Sequence, residues 1–121
     1  MKKSFILLTF VFLTSVAFAQ KGVSGALSAK EQGKLDKALE AIEAVINSTN
    51  PKDAKTINNP RTWETRGEIF QAIAQSKDAN MKKLSADPLS EALKSYKKAL
   101  DLDTKGRNAN SVKIKLTLME I

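Results

Sequence analysis

The feature that most constrains this chain is an apolar pattern with helical spacing that occurs twice. In segment 34–47, six apolar side chains recur at intervals of three and four residues, as on one face of an amphipathic α-helix. A shift of 54 positions superimposes them, without a gap, on six apolar side chains of segment 88–103. The pairs are Leu35 with Leu89, Ala38 with Ala92, Leu39 with Leu93, Ile42 with Tyr96, Val45 with Ala99 and Ile46 with Leu100. Since internal repetition is typical of stacked helical units, the pattern predicts an all-α chain of antiparallel helical hairpins.

Prolines and capping residues mark where the helices begin and end. Asn59 and Asp87 each supply a capping side chain directly before a proline, Pro60 or Pro88, at the first helical position. Pro51 follows a run of polar turn formers and ends the first helix. The predicted segments are helices at 34–47, 60–74 and 88–103, a loop at 48–58, and a loop or frayed helical extension at 75–86.

The last segment of the chain carries a mixed signal. From Val112 to Leu118 apolar and polar side chains alternate, which is the pattern of a strand, and then the alternation breaks. A lone strand would have no pairing partner in a helical chain, so we expect a helix at 108–121. That helix would begin a further repeat, and its apolar face would drive self-association or mark a chain cut within a longer protein.

The first nineteen residues have the three parts of a secretory signal peptide. Two lysines precede an apolar run at 5–16, and Ala17 and Ala19 are small side chains suited to a cleavage site. The run is shorter than the roughly 20 residues that span a bilayer. We expect cleavage before Gln20, export to the periplasm or the medium, and no membrane span in the mature chain 20–121.

The composition argues against the commonest catalytic and metal-binding chemistry. The sequence has no histidine and no cysteine, and so lacks the usual general base, the thiol nucleophile and the usual zinc ligands. Glu64 and Glu68 are one helical turn apart and could act as a carboxylate pair, but we expect both to be solvated surface. No glycines form a phosphate-binding loop after a strand. The expectation is no catalytic residue, no metal site and no cofactor.

The second predicted hairpin resembles the tetratricopeptide repeat, a two-helix unit. Residues 63–70, W-x2-R-G-x2-F, are similar to the W-x2-L-G-x2-Y signature of that family's first helix, and residues 92–99, A-x3-Y-x2-A, are similar to its second. Arg66 stands where leucine is usual and Thr104 where a closing proline is usual. The repeats also exceed the family's period of about 34 residues, which we attribute to loop insertions. The resemblance implies a repeat core of Trp63, Gly67, Phe70, Ala92, Tyr96 and Ala99.

The resemblance further implies a short solenoid and a function. It covers a weak repeat at about 22–50 and a clear repeat at about 60–103, with a further helix from about 108. In the family, a glycine at the position of Gly67 lets the paired helix approach closely, and the first helices of successive repeats line a groove that holds a peptide or partner helix. The chain is therefore expected to be a non-catalytic protein-interaction scaffold. The nominated partner-binding residues are Arg61, Glu64, Glu68 and Gln71.

The basic charge of the chain keeps a second function open. The formal net charge is +7 at pH 7, and residues 20–121 keep 18 basic against 13 acidic side chains, a charge of +5. Such a charge favours acidic partners or an anionic surface. The candidate contacts with an anionic surface or polyanion are Lys82, Lys83, Lys94, Lys97, Lys98, Lys105 and Arg107. Nucleic acid is not an expected partner, because the one aromatic residue that lies between these basic residues in the sequence, Tyr96, is expected in the core and could not stack on bases.

Overall fold

The structure, a computed structural model, describes residues 22–120, and its regular elements in that range are all helical. They include a 3-10 helix at Pro51–Asp53 and seven α-helices, which are α1 (Gly22–Glu31), α2 (Leu35–Ile46), α3 (Ala54–Ile57), α4 (Pro60–Gln75), α5 (Ala79–Lys82), α6 (Pro88–Leu102) and α7 (Ala109–Glu120). The all-α prediction is confirmed, and the C-terminal segment is a helix rather than a strand. The predicted signal peptide, residues 1–19, lies outside the described residues.

Two antiparallel hairpins form the centre of the fold. A tight turn joins α1 to α2, and Gly33 in that turn has a φ of 79°, in the left-handed region that favours glycine. Helices α4 and α6 make the most extensive helix pair. Lys98 lies over the Trp63 ring, whereas Arg66, one turn further along α4, binds Ser95, one turn earlier in α6, so the two helices run in opposite directions.

The helix starts follow the predicted capping residues. The Asn59 side chain accepts a hydrogen bond of 3.0 Å from the backbone N–H of Arg61, and α4 begins at the following proline. The Asp87 side chain accepts one of 3.3 Å from the backbone N–H of Ser90, at the start of α6. These bonds satisfy N–H groups that have no partner within the first turn of a helix.

Helix α4 holds the hairpins together. It packs against α1, α2 and α6, and it reaches α7 through side chains. Two of the six repeated apolar pairs, at positions 38 and 92 and at positions 42 and 96, are fully buried in both copies. The core around α4 consists of Ala26, Leu35, Ala38, Ala41, Ile42, Ile69, Phe70, Ile73, Ala92, Tyr96, Ala99 and Val112.

The connections on either side of α4 are more ordered than predicted. Segment 48–58, predicted as a loop, contains the 3-10 helix and α3, and segment 75–86 contains α5. The Thr62 hydroxyl and the Trp63 indole N–H each donate a hydrogen bond of 2.6 Å to a backbone carbonyl of the first connection. Met81 and Leu84 of the second pack against the core. Both insertions are therefore docked on the second hairpin.

The repeated apolar pattern predicts burial of Leu89, and this prediction is wrong. Leu89 is 49% exposed, whereas its counterpart Leu35 is 6% exposed. Leu89 lies in the first turn of α6 and at the edge of the apolar face, whose centre is formed by Ala92, Tyr96 and Ala99. Helical spacing defines a face, but the neighbouring helix covers only part of its width.

Candidate interaction surface

Arg66, which stands where the tetratricopeptide signature has leucine, lies where three helices meet. Its Nε donates a hydrogen bond of 2.6 Å to Glu43 Oε1 in α2, and its Nη2 donates one of 3.0 Å to Glu91 Oε2 in α6. Its Nη1 donates one of 2.7 Å to Ser95 Oγ, and the guanidinium lies 4.6 Å from the Phe70 ring centroid. Because a planar guanidinium carries five N–H donors, one side chain joins α4 to both α2 and α6.

Gly67 lets the Tyr96 ring pack directly against the backbone of α4. A Cβ atom at position 67 would lie 2.4 Å from Tyr96 Cε1, closer than two non-bonded carbon atoms can approach. Tyr96 is fully buried, and its hydroxyl donates a hydrogen bond of 2.7 Å to Gln71 Oε1. Burial, together with the charges of Glu68 and Glu64, raises the pKa of Tyr96 well above its usual value. Gln71, nominated for partner binding, is half-buried and holds a core side chain through this bond.

Glu64 and Glu68 bind α7. Glu64 is 9% exposed, and its Oε2 accepts hydrogen bonds from Lys115 Nζ and, at 2.9 Å, from Ser111 Oγ. Lys115 Nζ also lies 2.9 Å from Glu68 Oε1. Burial lowers the pKa of Lys115, but the hydrogen bonds to both carboxylates and their charges outweigh burial and raise that pKa overall. The interpretation of Glu64 and Glu68 as solvated surface is wrong, because both bind Lys115 of α7, a helix that packs mainly on α6.

The accessible part of α4 is narrow. Arg61 is exposed, whereas the other three nominated residues are buried or half-buried. Positions 61, 68, 72 and 75 share one side of the helix, away from the side chains that contact α2 and α6. We call these four residues, Arg61, Glu68, Ala72 and Gln75, the α4 stripe. Neither Ala72 nor Gln75 belongs to a sequence motif, although the helical period counted from Arg61 reaches both.

The basic side chains of the alternative interpretation are all exposed but do not form one patch. They divide into Lys82 and Lys83 at the end of α5, Lys94, Lys97 and Lys98 on α6, and Lys105 and Arg107 in the turn after α6. The last two also line a cavity of about 410 Å³ at the start of α4, together with Lys55 and Arg61. Four basic side chains thus line one concave surface at one end of the α4 stripe.

Helix α7 presents an apolar face to solvent. Ile114 and Leu118 are each 60% exposed, on the side of the helix opposite the buried Val112. With Lys113 and Thr117 they line a cavity of about 470 Å³. Self-association through this helix stays a prediction.

Within residues 22–120 no group of three or more ligating side chains is placed to hold a metal ion, and each buried side-chain N or O atom has a hydrogen-bond partner. No helix in the same range is long and apolar enough to cross a membrane.

Comparison of the chain with protein-family models, with curated proteins and with solved structures finds no match. The likeness to the tetratricopeptide repeat therefore stays a resemblance, carried by residues 63–70 and 92–99.

Proposed function

We propose that this chain is an exported, non-catalytic scaffold of tetratricopeptide-like repeats that binds a protein or peptide partner in the bacterial cell envelope. The observation that carries the proposal is the stack itself, in which α1 packs on α4 and α7 is held to α4 by Lys115. The helices that open successive hairpins thereby contact one another. The α4 stripe lies along one side of the central helix and is exposed at Arg61 and Gln75 and half-buried at Glu68 and Ala72. Aligned helices of this kind create the extended binding surfaces of repeat proteins.

The use of the polar side chains supports binding over catalysis. Arg66 is occupied by two carboxylates and a hydroxyl, Glu64 by Lys115, and the Tyr96 hydroxyl by Gln71. A catalytic group must instead be within reach of a substrate. In this molecule these groups hold helices together and leave a shallow surface.

The dimensions of the α4 stripe suit a peptide. Arg61 and Gln75 are separated by 14 positions, which is about 21 Å along a helix axis. An extended strand covers that distance with about six residues. Ala72 is half-buried and has a small side chain, so it leaves room on this side for a partner backbone to approach. The stripe can therefore hold a short linear segment or one face of a partner helix.

Site-specific photocrosslinking tests the proposal. A photoreactive amino acid at Gln75 is expected to capture a discrete partner in the cell envelope, whereas the same group at Lys97, an exposed residue of α6, is expected to capture none. With that partner purified, Gln75→Arg should weaken binding and Lys97→Gln should not. Equal capture from both positions, or no capture from Gln75, would show that the α4 stripe is not the interaction surface. Export is checked separately, by a mature N-terminus at Gln20.

A further inference from the structure

The cavity at the start of α4 gathers four basic side chains from three parts of the chain. Lys55 comes from α3, Arg61 from α4, and Lys105 and Arg107 from the turn between α6 and α7. None of the four forms an ion pair with another residue of the described range. Asp103 is the one acidic residue in the lining, so the lining has a formal charge of +3.

The single acidic residue of the cavity is committed to the backbone. Asp103 Oδ1 accepts a hydrogen bond of 3.1 Å from the N–H of Arg107, and its Oδ2 accepts one of 2.8 Å from the N–H of Asn108. Both oxygens therefore hold the turn that leads into α7, and the four basic side chains stay without an acidic partner. Like charges gathered in a concave surface focus a positive potential there, and this potential attracts an anionic ligand.

We propose that this cavity binds the acidic side chains of a peptide segment and so anchors one end of the partner that lies on the α4 stripe. The inference rests on the proposed function, because Arg61 belongs both to the stripe and to the cavity. A guanidinium can bind a carboxylate through two parallel hydrogen bonds, and Arg61 and Arg107 supply two such groups. The partner is thus a segment with neighbouring aspartate or glutamate residues at one end.

The shape of the site favours a peptide over the other anionic candidates. A planar membrane cannot follow a concave wall, and its headgroups would meet the exposed lysines of α6 as readily as the cavity. The volume of about 410 Å³ is large for one small inorganic anion. Side chains from a flexible acidic segment can enter such a space one after another.

A pair of charge-matched triple variants tests the assignment, with a fluorescent hexaglutamate peptide as the probe. The cavity variant carries Lys55→Gln, Lys105→Gln and Arg107→Gln. The control carries Lys94→Gln, Lys97→Gln and Lys98→Gln on α6 and so loses the same charge. All six side chains are exposed, so both variants should stay helical, and circular dichroism checks this. We expect the cavity variant to bind hexaglutamate at least about tenfold more weakly than the unmodified protein, and the control to bind within about twofold.

Other outcomes overturn the proposal. Equal losses in both variants would mean that net charge and not the cavity attracts the peptide, and no binding by the unmodified protein would mean that the site does not exist. Binding of pyrophosphate, or of vesicles that contain phosphatidylglycerol, can be measured with the same variants. If either binding depends on the cavity residues more strongly than hexaglutamate binding does, the cavity is assigned to a different anion. The assay uses no cellular partner and leaves Gln75 intact, so its failure is distinct from failure of the crosslinking at Gln75.

Discussion

Replacement of Gly67 by alanine measures how closely α4 and α6 approach each other. In the native packing a Cβ atom at this position would lie 2.4, 2.6 and 2.9 Å from three atoms of the Tyr96 ring. The ring is rigid and fully buried, and its hydroxyl is bonded to Gln71, so it cannot turn away without the loss of that bond. Overpacking of this kind costs about 1–3 kcal/mol, and three contacts with a rigid ring put this case near the upper end.

An opposing effect sets the net change. Alanine favours a helix interior over glycine by about 1 kcal/mol. The difference leaves Gly67→Ala less stable than the unmodified protein by about 1–2 kcal/mol, which corresponds to a fall in Tm of about 5–15 °C for a domain of this size. Urea denaturation followed by circular dichroism measures the free energy of unfolding, and thermal unfolding gives the second value.

A double-mutant cycle separates the steric term from other effects. Tyr96→Leu removes the ring atoms, so Gly67→Ala should be neutral or stabilising in that background, although Tyr96→Leu is itself destabilising. If Gly67→Ala raised the stability of the otherwise unmodified protein, or if the two changes were simply additive, the close contact between Gly67 and Tyr96 would not exist.

Three further changes test the contacts around α4. Arg66→Ala removes hydrogen bonds to two carboxylates and should lower the free energy of unfolding by about 2 kcal/mol in urea denaturation. The loss is no larger because the two carboxylates are 34% and 32% exposed and can rehydrate in part. Lys115→Met should speed amide hydrogen exchange in α7 more than in α6, because it leaves Glu64 buried without its cation. The control Lys113→Met, at an exposed site of the same helix, should have little effect. Tyr96, the one tyrosine of the sequence, should ionise far above its usual pH in absorbance titrations. Since its folded pKa is above its unfolded pKa, stability should be complete below about pH 10 and fall by about 1.4 kcal/mol per pH unit above it. Tyr96→Phe should remove that part of the fall.

The helical class and the helix ends are predictable because they depend on local chemistry. Asn59 caps α4 through a residue two positions away, and the apolar period of α2 and α6 needs no knowledge of their neighbours. Gly67 was interpretable for a related reason, since the motif pairs one small residue with large ones. These features need only a few consecutive residues to be recognised.

The role of Glu64 could not be predicted in this way. Its partner Lys115 lies 51 positions further along the chain, and Arg66 binds residues that are 23, 25 and 29 positions away. Helical periodicity shows which residues share a face, but not which faces a neighbouring helix will cover. Periodicity alone therefore assigns a glutamate on the polar side of α4 to solvent, although Ser111 and Lys115 of α7 bind it.

The most direct test of the account is a titration, followed by amide chemical shifts, of the protein with the purified partner that crosslinking identifies. The account predicts that the largest shifts fall on Arg61, Glu68, Ala72 and Gln75, with further shifts at Lys105 and Arg107 around the cavity. Shifts confined to the outer side of α6, around Lys94, Lys97 and Lys98, would contradict it, since the partner would then bind a charged surface and not the accessible side of α4.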